Sequence, residues 1–258
     1  MAFDKIFDAD MHMSPYRNDP LSINAPELAA RMEEAGIGKC LVWLMPQLVS
    51  DVSESNRYIY DMAKEYPQFA APFGWSNIRE GEEKALADAK TCLLEYGFKG
   101  VKLNGAQNEY YIDSAPSLRV CELIAKNNGM IGFHIGTDEP DYTHPDRAAK
   151  VAQLFPETPI LMIHMGGVLE PYASAEVIAA AKVNPNMMLI GSSIHVSKVK
   201  EAIDALGAHR VMFGSDIPFA DGKSHIAAYE EMLKDYPKEA QDKVMFQNAL
   251  DLFGLTWE

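Results

Sequence analysis

Eight short apolar runs recur along this chain about every 32 residues, the usual length of a strand-plus-helix unit. They cover 5–12, 40–45, 71–77, 99–105, 130–136, 159–166, 187–193 and 210–218. Several end in a polar side chain: Asp10 and His12 in the first, His134 in the fifth, His164 in the sixth and Asp216 in the eighth. Between the runs lie segments with helical spacing at 26–36, 82–97, 117–129, 146–156, 176–185 and 196–207. A closing amphipathic stretch follows at 243–255. This rhythm predicts an α/β protein, a (β/α)8 TIM barrel formed as a single domain over 1–258. The rival, a doubly wound open sheet, needs a glycine-rich phosphate turn after its first strand, and 11–20 contains no glycine.

Alternate residues of a strand face opposite sides. In 130–136, Gly132, His134 and Gly136 share one face and Ile131, Phe133 and Ile135 the other. In the last run Gly214 and Asp216 oppose Phe213 and Ser215. In the first, Asp8, Asp10 and His12 oppose Phe7, Ala9 and Met11. The bulky sets are expected against the helices and the small or polar sets toward the barrel axis. Polar residues at the C-terminal strand ends then meet at the mouth, where this architecture builds its sites.

Asp10 and His12, two apart on one strand, can turn a carboxylate oxygen and an imidazole nitrogen onto a common ion. His134 and Asp216 complete a shell of two nitrogens and two oxygens, suited to one divalent ion, with zinc the first expectation and manganese the second. Blander readings stand beside this one. His134 can be a hydrogen-bonded core histidine, Asp216 can start the turn before Pro218, and Asp10 can orient His12 without ligating. Lys102 shares a strand face with Asn104. A lysine pointing into a barrel needs a partner, either an anionic substrate or a carboxylate such as Asp8 or Asp10. Arg17, in the loop after the first run, and His195, just after the seventh, are the remaining substrate-binding candidates; a solvated arginine and a helix-start histidine are the competing readings. Trp43 and Trp75 read as barrel packing.

The formal net charge of -14 argues against nucleic acid and anionic membrane surfaces as partners. No run of 18 apolar residues is present, and residues 1–10 carry charges where a secretion signal has an apolar stretch. Cys40, Cys92 and Cys121 have no metal- or redox-type spacing and read as small buried apolar residues. A cytoplasmic protein acting on a small molecule is the expectation.

The motifs, in this order, resemble the amidohydrolase superfamily. More narrowly, they resemble the amidohydrolase-2 group that includes aminocarboxymuconate-semialdehyde decarboxylase. The likeness rests on Asp10-Met11-His12, on His134, on His164-Met165-Gly166-Gly167 and on Phe213-Gly214-Ser215-Asp216-Ile217-Pro218. The ending Gln247-Asn248-Ala249 with Leu252-Phe253-Gly254-Leu255 also carries it, so it spans nearly the whole chain. The group's common strand-one pattern is His-x-His, and here Asp10 stands first. Related decarboxylases carry a glutamate there, so an acidic ligand fits metal binding while lowering the Lewis acidity of the ion. The resemblance implies that His164 transfers a proton without ligating in a one-metal site, and that it ligates a second ion in a two-metal site. It allows a carboxylated Lys102 bridging two ions, and it implies a homo-oligomer, dimer or tetramer. The expected activity is hydrolysis of a small carboxylated lactone or amide by metal-activated water. Asp216 accepts the water's proton, His164 assists the carbonyl or leaving group, and Lys102 holds the substrate carboxylate. The first alternative is metal-dependent, non-oxidative decarboxylation on the same site. The second is a non-catalytic ligand-binding barrel.

Overall fold

The computed structural model describes residues 3–17, 19–45 and 52–258. Among these residues nine strands build one barrel: β1 Phe7–Met13, β2 Lys39–Leu44, β3 Ala71–Pro72, β4 Gly74–Trp75, β5 Gly100–Leu103, β6 Met130–Gly136, β7 Ile160–Gly167, β8 Met187–Ile190 and β9 Val211–Met212. β3 and β4 are two halves of the third predicted strand, interrupted at Phe73. All pairings are parallel and run in sequence order, β1-β2-β3 and β4 through β9. The barrel closes where the chain beyond β9 meets β1. Ala9 N–H donates to Phe213 O at 2.9 Å, Asp216 N–H to Asp10 O at 2.9 Å and His12 N–H to Ile217 O at 2.8 Å. Sequence-adjacent parallel strands with helical crossovers, closed first to last, form a (β/α)8 barrel.

Two apolar layers hold it together. Phe7, Leu41, Trp43, Phe73, Leu161, Ile163, Ile190 and Met212 fill the interior. The C-terminal helix Asn248–Phe253 plugs the end opposite the mouth, with the Phe253 ring 5.6 Å from that of Phe7 and 5.9 Å from that of Phe73. The outward strand faces, among them Val42, Val101, Ile131, Phe133 and Met162, pack on the helices. The three cysteines are free and buried, as their spacing suggests.

Strand parity holds on β6, where Ile131, Phe133 and Ile135 join the outer layer. It fails on β1. Register with β2 shifts between Asp8 and Met11, so three residue steps on β1 span two on β2. This bulge puts Phe7 and Ala9 in the inner layer and Met11 and Met13 in the outer one. Asp8 therefore does not share a face with Asp10 and His12. Its Oδ1 instead accepts Asp10 N–H and Ser215 N–H, both at 3.0 Å, and holds the bulge.

Most expected helices are present, for example Ala25–Ala35 with an Asn24–Glu27 capping box and Gly36 in the left-handed region. Two further long helices, Val52–Glu65 and Gly222–Leu233, and the short ones at Gly105–Asn108, Pro140–Thr143 and Lys238–Asp242 lie outside the expected segments. The buried face of the first carries Ser55 and Asn56, and the second starts on glycine directly after a turn. Among the described residues, no helix is long and apolar enough to cross a membrane.

Candidate metal and substrate site

Asp10 and His12 emerge from the β1 bulge, and Asp216 stands just beyond β9. Their ligand atoms lie within 4.8 Å of one another, and all three side chains are buried. His12 Nδ1 lies 2.9 Å from Leu44 O. A proton donated there leaves the Nε2 lone pair facing Asp10 and Asp216. Nε2 is 3.4 Å from Asp10 Oδ1 and 3.3 Å from Asp216 Oδ1. Burial and Lys102 push the His12 pKa down, yet its bonds to Asp10 and Asp216 carry it above the usual histidine value. Burial alone raises Asp10, but its bond to His12 and the charges of His164 and Lys102 hold it well below the usual carboxylate range. Two carboxylates thus draw positive charge to one imidazole nitrogen. A divalent cation fits that demand, and the oxygen- and nitrogen-donor set suits zinc or manganese. Trp43 Nε1–H reaches the same lone pairs, at 3.0 Å from Asp10 Oδ1 and 3.1 Å from His12 Nε2. The indole is part of the site as well as barrel packing.

His134 faces the same cavity, but outside this trio. Its Nε2 is 2.9 and 3.1 Å from the two carboxylate oxygens of Asp138. Gly136 makes room for the pair, since a Cβ there would lie 2.2 Å from Asp138 Oδ1 and 2.7 Å from His134 Nε2. His164 follows on β7, its ring edge-on to that of His134 with centroids 4.7 Å apart. Burial pushes His164 down to about 4. Its Nδ1 lies 2.9 Å from Ser192 Oγ, which is 2.5 Å from Asp10 Oδ2. Ser193 Oγ–H donates to Asp216 Oδ2.

The cavity holds about 190 Å³ and is lined by His12, His134, His164 and Asp216 together with Lys102, Asn104, Gln107, Asp138, Val168, Ser193 and Phe219. Lys102 is 1% exposed and its ammonium forms no ion pair among the described residues. It sits 4.1 Å from the ring centre of Trp43 and 5.2 Å from that of Trp75, and burial lowers its pKa against the pull of Asp10, Asp216 and Asp138. The alternative reading, a pairing with Asp8 or Asp10, is not formed among the described residues. Asn104 Oδ1 caps the short helix Gly105–Asn108, while its buried Nδ2 has no hydrogen-bond partner. Two other candidates stand elsewhere. Arg17 is exposed and bound to Glu27 at 2.7 Å and to Ser22 O at 3.0 Å. His195 is exposed and caps helix Val196–Leu206 through Ser197 N–H. Neither lines the cavity.

Ser193, Asp138 and Gln107 line the cavity and Ser192 braces it without being singled out by the motifs, and Trp43, expected as barrel packing, reaches the same groups. Position was the available signal, because each lies at or beyond the C-terminal end of a strand. Backbone strain gathers here too. His164, Met165, Val168, Ser193 and Asp216 all have positive φ, between 41° and 75°, five of the seven such non-glycine residues described. Strain of this kind persists where surrounding structure over-determines it, and it clusters at functional sites.

Residues 49–255 match the family model described as Amidohydrolase. A curated relative, the 2-amino-3-carboxymuconate-6-semialdehyde decarboxylase of Dictyostelium discoideum, is 22% identical over 249 residues, covering 83% of this chain and 69% of its own. Two solved structures share the fold. A dihydroxybenzoic acid decarboxylase from Polaromonas, with bound manganese and the inhibitor 2-nitroresorcinol, aligns with a TM-score of 0.74 at 17% identity, over 98% of this chain and 97% of that one. An amidohydrolase from Burkholderia multivorans with bound zinc aligns with a TM-score of 0.77 at 15% identity, over 98% and 100%.

Proposed function

This chain belongs to the amidohydrolase family, and from that premise we propose that it is a metal-dependent, non-oxidative decarboxylase of a small carboxylic acid. The hydrolytic expectation gives way because the curated relative and the manganese-bound neighbour are both decarboxylases. The observation that carries the reading is Lys102, an ammonium buried in the cavity without a carboxylate of its own. Beside it, Asn104 offers an unpartnered N–H donor. Buried polar groups without partners call for an explanation, and beside this cavity these two suit the oxygens of an anionic substrate.

Asp10, His12, Asp216 and, once released from Asp138, His134 would hold the ion. When bound, it supplies positive charge that draws a substrate carboxylate and a neighbouring oxygen and accommodates the charge that develops there. Lys102 and Asn104 fix the far end of the substrate. The carbon–carbon bond to the carboxylate breaks, its electron pair stays on carbon and CO2 leaves. His164, neutral at rest, relays one proton from solvent to that carbon. Asp216 serves as a ligand; its role as acceptor of a water proton belongs to the hydrolytic scheme and falls away. Phe219, edge-on to His12 with centroids 5.5 Å apart, narrows the mouth. Arg17 and His195 have no part.

Metal-loaded protein incubated in D2O with hydroxylated benzoic acids and unsaturated carboxylic acids tests the reading. The expected result is CO2 release with one deuterium at the vacated carbon. His164→Asn should cost about 10²- to 10⁴-fold in kcat with metal content retained, and Lys102→Met should mainly raise KM. Hydrolysis of lactones or amides with ¹⁸O incorporated from water, and no CO2 from any acid, would overturn it.

A further inference from the structure

Ser192, beyond the end of β8, joins a metal-site carboxylate to the histidine across the barrel mouth. We propose that Ser192 is a positioning residue that locks the His164 imidazole with its proton on Nδ1, so that Nε2 is the nitrogen through which protons come and go. The inference rests on the proton-transfer role given to His164 above.

The argument is a count of hydrogens. Ser192 Oγ has a single proton and two buried neighbours, Asp10 Oδ2 at 2.5 Å and His164 Nδ1 at 2.9 Å. Ser192 and Asp10 are fully buried and His164 nearly so, which keeps competing water from the bridge. An ionised carboxylate only accepts, so the serine proton goes to Asp10. Oγ then has only lone pairs to offer His164, and the Nδ1 side of the bond must supply the proton. Were Nδ1 unprotonated, two acceptors would face each other across 2.9 Å in a buried place, a cost that favours the donating tautomer. Nδ1 therefore carries a proton whether His164 is neutral or charged. Nε2 has no hydrogen-bond partner among the described residues, and His164 lines the cavity, so exchange with substrate falls to Nε2.

The local backbone accommodates the bridge. His164 has φ 67°, unusual for a histidine on a strand. Gly214 leaves the space in which Asp10 and Ser192 approach, because a Cβ there would lie 3.1 Å from the Cβ of each. The bridge also orders the site by type: the serine holds Asp10 by donating and His164 by accepting. Alanine can do neither, while threonine keeps the hydroxyl.

Nitrogen-15 NMR of histidine-labelled, metal-free protein tests this directly, with His164 assigned by its loss in His164→Gln. The wild type should show an N–H signal at Nδ1 and a lone-pair signal at Nε2. Ser192→Ala should lose that preference and give mixed or inverted tautomers. Ser192→Thr should restore it. In the metal-loaded enzyme Ser192→Ala should lower kcat about 10- to 100-fold, the usual effect of removing an outer-shell partner, with KM little changed. A wild-type protein with the proton on Nε2, or an unchanged Nδ1 preference in a folded Ser192→Ala, would overturn the proposal. The wild-type spectrum decides even if the alanine variant fails to fold. Should the tautomer behave as stated while no acid is decarboxylated, the functional reading fails and the positioning of His164 stands.

Discussion

Asp8 shows how one residue outside the proposed ligand set shapes it. Burial raises its carboxyl to about 7, against the lowering effect of its hydrogen bonds, and Oδ2 has no partner. Oδ1 holds the amides of Asp10 and Ser215, so it ties the β1 bulge to the segment that carries Asp216. The folded pKa lies above the unfolded value, so the native state binds the extra proton between about pH 4 and pH 7 and loses stability as pH rises through that window. Asp8→Asn keeps the accepting oxygen and removes the ionisation. Its stability relative to wild type, measured by thermal melts in chelator, should therefore grow by on the order of a few kcal/mol from pH 4 to pH 8. A difference that does not change with pH would contradict the assignment. Simple alternation puts Asp8 beside Asp10, because the bulge that separates them is held by a side chain bonding to backbone and leaves no mark on the apolar pattern.

At the scale of elements, the strands and their polar ends were legible, because buried parallel strands are short apolar runs and their C-terminal residues stand out. Helix Val52–Glu65 was not, since its buried Asn56 bonds the Trp75 backbone through both its amide groups instead of supplying an apolar stripe. The double serine after β8 was equally silent. Nothing in Gly191-Ser192-Ser193 announces that one hydroxyl reaches Asp10 and the next Asp216. His134 is the instructive ligand candidate. Its place on β6 follows from the pattern, but its pairing with Asp138 depends on how the following loop folds back. Glycine does the fitting between elements. At Gly214 an added Cβ would meet Ile190 Cγ2 at 2.7 Å as well as Asp10 and Ser192. Gly214→Ala should cost about 1–3 kcal/mol of stability through overpacking and weaken metal retention in the same protein, read by melts and by elemental analysis. Full retention of metal with unchanged stability would show that the close approach of β1, β8 and β9 does not set the site.

The whole molecule makes one site from residues more than 200 positions apart because first and last strands are neighbours in a closed barrel. Inner apolar side chains and the plug of the C-terminal helix fill one end, and the chain's functional polar groups collect at the other. The cation is the centre of that account. The most direct test is a crystal structure of manganese-soaked protein with anomalous data collected near the metal edge. The account predicts one anomalous peak coordinated by Asp10, His12 and Asp216, with His134 turned from Asp138 toward it. No peak among these residues at saturating manganese, or one held by other side chains, would contradict it.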